Sequence, residues 1–418
     1  MTNSESMIQT REDILSSIRT ATNEVKAIDM HTHLFAPEFG SLLLWGIDEI
    51  LTYHYLISEA FRWIDMPYER FWALPKSKQA DIVWQTLFVE RTPISESCRG
   101  VVTILKELGL DPKSRTLEPY RDFFRSQNVE SYVEQIINKA NIDWLVMTND
   151  PFDDLERTVW DTTGLKHPKF RAALRLDAML NDWNSACKRM SDWGYKVDES
   201  LGDTTFAEIR RFMREWCSKM DALYLAVSLP PDFEYPEASP RAVMLSQSVL
   251  PMAEEMNLPV GLMIGVRRGV NPNLGLAGDA LSRASMLPIE RLCSEHPNVR
   301  FLVTMLSREN QHEFCVTARK FRNLTPFGCW WFLNTQHMVK EITKMRFELL
   351  GTSFIPQHSD ARVLEQIIYK WAYSREIIAK TLADYYEALI AANHKITYAD
   401  IKRDIEDLYR NNFLRQVK

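Results

Sequence analysis

One feature constrains this chain more than any other: a short apolar run that recurs along its length and each time ends in polar residues. The runs are KAIDMHTH (26–33), DWLVMTNDP (143–151), FRAALRLD (170–177), ALYLAVSLP (222–230), LPVGLMIGV (258–266), VRFLVTMLS (299–307), LTPFGCWWF (324–332) and GTSFIPQHSD (351–360). Continuous apolar runs of this length fit strands buried on both faces, the situation inside a parallel sheet. Between them lie stretches with helical periodicity, such as SQSVLPMAEEMN (246–257) and HMVKEITKMRFELL (337–350). Strand and helix in alternation predict an α/β fold, and eight such strands predict a closed (β/α)8 barrel of the TIM type.

The spacing is uneven. About a hundred residues, rich in Trp, Tyr and helical pattern, separate the first two strands. A structureless loop of that length would count against the assignment, so a helical insertion at about 35–140, resting over the barrel mouth, is expected. A second long connection covers about 179–221, and residues 363–418 read as further helices. No repeat or Gly/Ser-rich linker divides the chain, so residues 1–418 are expected to form a single barrel domain. The hydrophobic fraction of 45% and charged fraction of 25% allow a large core. A net charge of −6 gives no basic footprint for nucleic acid, and no polybasic amphipathic segment points to a membrane surface. No run approaches the ~18 apolar residues of a membrane span. The polar opening, MTNSESMIQTREDILSSIRT, reads as the start of a helix and not as a signal peptide. Six scattered cysteines without a C-x-x-C pair read as reduced, buried thiols, and a cytoplasmic location is expected.

In a barrel of this kind chemistry sits at the C-terminal ends of the strands. His31 and His33 occupy that position on the first strand, where side-chain alternation sends both to one face with Met30 and Thr32 opposite. Two nearby histidines are often plain core or surface residues. A third ligand from another strand end would change that, and Asp360 in IPQHSDAR lies beside strand one once the barrel closes. Two His and one Asp leave open coordination positions, the arrangement of a catalytic metal site. The alternative for Asp360 is an N-cap for the helix ARVLEQIIYKW. His358 shares its parity but reads as a supporting or core histidine. His54 and Tyr55, in LTYHYL, are by composition an aromatic patch on a helix. Arg175 and Arg362 stand where planar recognition of a carboxylate would need them, or form structural ion pairs.

In order along the chain, DMHTHL, TYHYL, TNDPFDDLE, LRLD, FGCWWF and SDAR resemble the motifs of the uronate isomerase family, a branch of the amidohydrolase superfamily. The likeness runs from about residue 25 to the C-terminus. It implies a distorted (β/α)8 barrel holding one divalent metal, usually zinc, with manganese, iron or cobalt as alternatives. The substrates it implies are sugar acids (hexuronates): D-glucuronate converted to D-fructuronate and D-galacturonate to D-tagaturonate. Motif by motif, His31, His33 and Asp360 would hold the metal, His54 and Tyr55 would match the His-Tyr pair of the insertion, and Arg175 and Arg362 the substrate arginines. Trp331 would line the pocket. A homo-oligomer is expected. Two departures stand out: Tyr53 and Ser58 replace the Asp and Arg of the more typical Asp-His-Tyr-x-x-Arg, and Met263 replaces a strand-five His.

Aldose–ketose isomerisation suits these residue types. The implied roles give ring opening to Asp360 and proton carriage between C2 and C1 to His54, whose unperturbed pKa is about 6.5. Tyr55 would stabilise oxygen charge, Arg175 would clamp the carboxylate and Arg362 the hydroxyls near C2 and C3. The rival is a single-metal hydrolase of the same superfamily. Such enzymes place histidines on strands five and six, where this chain ends its runs with Met263 and Met305. A third reading, a sugar-acid binding protein without catalysis, leaves the full residue set unexplained.

Overall fold

The computed structural model describes residues 8 and 10–418. Most of the polar opening, residues 1–7 and 9, lies outside them; helix α1 (Arg11–Glu24) begins behind Thr10, which caps it reciprocally with Asp13. Seven parallel strands follow in sequence order around one curled sheet. They are β1 (Ala27–Thr32), β2 (Ile142–Asn149), β3 (Phe170–Arg175), β4 (Leu225–Leu229), β5 (Val260–Ile264), β6 (Phe301–Met305) and β7 (Leu324–Pro326). Every residue of β4, β5 and β6 is buried, which is why their sequences are apolar without alternation. The faces nevertheless alternate. Ile28, Val146, Ala173, Ala226, Met263 and Leu302 pack together inside the barrel, while Leu145, Leu174, Val227, Ile264, Val303 and Met305 pack outward among the helices.

The α/β class and the distorted barrel are as expected; the closure is not a regular eighth strand. Residues 354–361 take that place through single bridges only. Phe327 pairs with Ile355, Gly328 N–H donates to Ile355 O at 2.8 Å, and on the other side Asp360 N–H donates to His31 O at 3.2 Å. Pro356 has no N–H to give to a ladder. Ser359 N–H goes instead to a side chain, the Asp29 carboxylate, at 2.9 Å, and Trp371 Nε1 donates to the same carboxylate at 2.8 Å. Burial pushes that carboxyl up to about 6.

The long first connection is helical throughout: α2 (Ile47–Leu51), α3 (His54–Ala60), α4 (Tyr68–Trp72), α5 (Lys76–Trp84), α6 (Glu96–Glu107), α7 (Glu118–Arg125) and α8 (Val129–Lys139). A parallel bridge between Leu44 and Val363 ties this insertion to the segment that carries Arg362. Gly100 on α6 lets the helix approach the long helix Gln366–Ala391, because a methyl group there would lie 2.7 Å from the Tyr369 ring. That C-terminal helix and the next, Tyr398–Glu406, pack on α1. No helix among the described residues is long and apolar enough to cross a membrane, and all six cysteines are unpaired and buried.

Candidate metal centre and active site

His31, His33 and Asp360 meet at the C-terminal mouth of the barrel, with one potential ligand atom from each lying within 4.8 Å of the others. Asp360 Oδ1 is 3.4 Å from His33 Nε2 and 3.9 Å from His31 Nε2. These are not ion pairs. Burial, reinforced by His33, pulls His31 down to about 3, and burial with Arg362 and Arg175 holds His33 well below its usual value. Both rings are therefore neutral, the form that ligates a metal.

Two hydroxyl groups settle which nitrogen faces inward. Tyr224 O–H donates to Met30 O at 2.8 Å, so its oxygen accepts from His31 Nδ1 at 3.0 Å. Thr148 O–H donates to Thr32 O at 2.9 Å and accepts from His33 Nδ1 at 3.2 Å. Each Nδ1 carries the proton and each Nε2 lone pair points to Asp360. Outer hydroxyls that fix the tautomer are the usual companions of metal-ligating histidines. His31 Nε2 and Asp360 Oδ1 are buried without any hydrogen-bond partner. Buried polar atoms are rarely left so, and a divalent cation bound by this N,N,O set would satisfy both.

The backbone is bent to this purpose. The β1–β2 register slips between Asp29 and Thr32. Met30 belongs to the barrel interior, and the slip turns its neighbour His31 inward as well, where strict alternation would put the two on opposite faces. Asp360 and Trp331 have φ of 51° and 47°, a left-handed conformation costing about 1–2 kcal/mol in a residue with a side chain.

The remaining expected residues surround this centre. Arg175 Nη2 bonds Asp177 Oδ1 at 3.0 Å; burial opposes its charge, and Asp177 with Asp150 and Glu156 outweighs that and keeps it protonated. Arg362 and His54 line a cavity of about 560 Å³ between the insertion and the loop Pro272–Ala277. His54 is packed against Tyr53, Tyr55 and Trp331, with ring centroids at 4.1, 4.5 and 5.8 Å. Burial and then Arg362 lower it to about 3, far from the unperturbed value. His54 Nε2, Tyr55 Oη and Trp331 Nε1 are all buried and unpartnered. His358, wholly buried, packs edge-on to His31 at 5.3 Å and stays outside the three-ligand group.

One face assignment is corrected. Met305 points outward into the helical layer, and the inward residue at the end of β6 is Thr304, in register with Met263. A run's last residue need not face the barrel axis; counting by twos from Leu302 gives Thr304. No sequence motif marks Tyr224 or Thr148 as the residues that orient these histidines. Thr148 sits at a strand end and was open to that argument, whereas Tyr224 precedes its strand. It reaches His31 because the stagger between strands pairs Leu174 with Leu225 and Thr32 with Met147.

No protein-family model matches the sequence, and no curated protein does. Among solved structures, a uronate isomerase from Bacillus halodurans C-125 is 51% identical over 98% of this chain and 97% of its own, with a TM-score of 0.96. A uronate isomerase from Thermotoga maritima covers 99% and 98% at 14% identity and TM-score 0.76. A glucuronate isomerase from Caulobacter crescentus covers 100% and 96% at 14% identity and TM-score 0.73. At such low identity the last two establish the fold alone.

Proposed function

The chain belongs to the uronate isomerase family, and from that premise we propose that it interconverts hexuronates, D-glucuronate with D-fructuronate and D-galacturonate with D-tagaturonate. The observation that carries this reading is the near-full-length match at 51% identity. The arrangement of unpartnered groups around His31, His33 and Asp360 supports it. We assign these three as ligands of one divalent metal, zinc before manganese, iron or cobalt. When bound, the metal would supply Lewis acidity to a hydroxyl and the carboxylate of the sugar acid.

The chain's own residues then divide the work. Asp360 accepts the anomeric hydroxyl proton as the C1–O5 bond breaks and passes it to O5, so that ring opening leaves no proton on the carboxylate. His54 Nε2 removes the proton at C2; the C–H electron pair forms the C1=C2 bond and O1 takes up charge and a proton. Tyr55 donates a hydrogen bond to that oxygen. His54 returns its proton to C1 while O2 loses one, giving the ketose with no net change of atoms. Burial keeps His54 neutral in the free site, and the negative charge that develops on O1 raises its basicity as it takes the proton. Arg175 clamps the carboxylate, Arg362 the hydroxyls near C2 and C3, and Trp331, whose buried Nε1 has no partner, lines the site beside His54. The hydrolase alternative has less support, because Met263 and Thr304 stand where its histidines would be.

Incubating zinc-loaded protein with D-glucuronate or D-galacturonate should give ketose resonances in the proton NMR spectrum, lost on chelation. No ketose from either sugar, together with hydrolysis of a lactone, would overturn the reading. We also read the protein as cytoplasmic, supported by its unpaired thiols, and as a homo-oligomer, supported by exposed Trp63, Ile94 and Leu155 and checked by light scattering.

A further inference from the structure

We propose that Tyr53 is a positioning residue for the isomerisation: its ring, not its hydroxyl, holds the His54 imidazole in place and screens the migrating proton from water. The proposal rests on His54 as the proton carrier. Tyr53 stands where the more typical family motif has an aspartate. A carboxylate there could bond one imidazole nitrogen and stabilise the imidazolium; a phenol ring tilted against the imidazole does neither. The geometry is that of packing. Tyr53 has extended backbone (φ −63°, ψ 137°) and His54 opens α3, so two successive side chains can touch, as they do not within a helix. Their ring centroids are 4.1 Å apart at 51°, the shortest contact His54 makes with any ring, and Tyr53 also meets Tyr55 at 4.9 Å. Trp331 meets the imidazole edge-on, with centroids 5.8 Å apart at 82°.

The consequence is mechanical. A proton carrier must serve two carbons about 1.5 Å apart. An imidazole fixed by directional hydrogen bonds would serve one of them; His54 Nε2 has none. Ring contacts are worth about 0.5–1.5 kcal/mol each and have broad minima, so they can hold the ring upright while it rocks between C2 and C1. Tyr53 is itself 6% exposed and, with His54, forms part of the wall of the 560 Å³ cavity. Removing its ring widens that cavity beside the imidazole and admits more water to it.

The test uses zinc-loaded protein and D-glucuronate deuterated at C2, with deuterium retained at C1 of the ketose measured by NMR. This retained fraction is a ratio, so it does not depend on how much of a variant is folded. Tyr53→Leu should lower kcat by at least about tenfold with KM little changed, and should cut the retained fraction by about half or more. Tyr53→Phe, which keeps the ring, should rescue both. Tyr53→Leu with a wild-type retained fraction, or Tyr53→Phe as impaired as Tyr53→Leu, overturns the proposal. His54→Ala with near-normal turnover would instead overturn the proton-carrier reading on which it rests.

Discussion

The inward-facing Nε2 atoms of His31 and His33 owe their state to the hydroxyls of Tyr224 and Thr148. Tyr224→Phe removes the acceptor of His31 Nδ1–H while leaving the ring that packs in the barrel interior. Zinc affinity, measured by competition with a chromophoric chelator, should fall about 10–100-fold, and excess zinc should restore activity. Glu156 offers a test by pH. Burial raises its carboxyl from 4.5 to about 8, although Asn149 Nδ2 and Asp150 N–H both donate to it. Because the folded value is the higher, its stabilising contribution is complete below about 4.5 and disappears as pH rises through about 8. Glutamine can accept the same two bonds and does not ionise. The melting temperature of Glu156→Gln should therefore gain on wild type between pH 5 and pH 9 by at least about 2 °C. An equal difference at both pH values would contradict the assignment.

At the scale of elements, close approach of backbone to side chain decides where the arginine and aspartate of the last segment sit. Gly328 has φ +58°, and a methyl group on it would lie 1.7 Å from His358 Nδ1, a ring enclosed on all sides. Gly100 is helical, and a methyl group would meet the Tyr369 ring at 2.7 Å. Both alanine variants should destabilise, Gly100→Ala by about 1–3 kcal/mol in urea unfolding and Gly328→Ala by more, since strain adds to overlap. Gly100→Ala should also raise KM. The helix bearing Tyr369 begins with Gln366, whose side chain accepts from Arg362 N–H at 3.0 Å, so a shift of that helix moves Arg362. The strands themselves were legible, because burial on both faces leaves an unbroken apolar run. The position of the eighth segment was legible but its irregularity was not: its place is held by single bridges and a buried carboxylate, none of which has a local sequence signature.

For the whole molecule, the candidate metal centre would join the two ends of the barrel, His31 in β1 and His33 just after it with Asp360 from the closing segment. A cation bound only by the folded state adds about 2.7 kcal/mol at a hundred times its dissociation constant. Chelation should lower the melting temperature by several degrees and zinc should reverse it; an unchanged melting temperature would argue against a metal shared across the closure. The distribution of legible and illegible features follows from range. The order of strands, the helical insertion, the histidine pair and the candidate aspartate and arginines were all readable, because each depends on burial period or residue chemistry within a few positions. Which nitrogen of each histidine faces the centre, which of Thr304 and Met305 faces the axis, and the packing of His54 against Tyr53 and Trp331 were decided only by tertiary structure. They depend on strand stagger, a slipped register in β1 and contacts between segments nearly three hundred residues apart, and a linear pattern of apolar residues carries none of these.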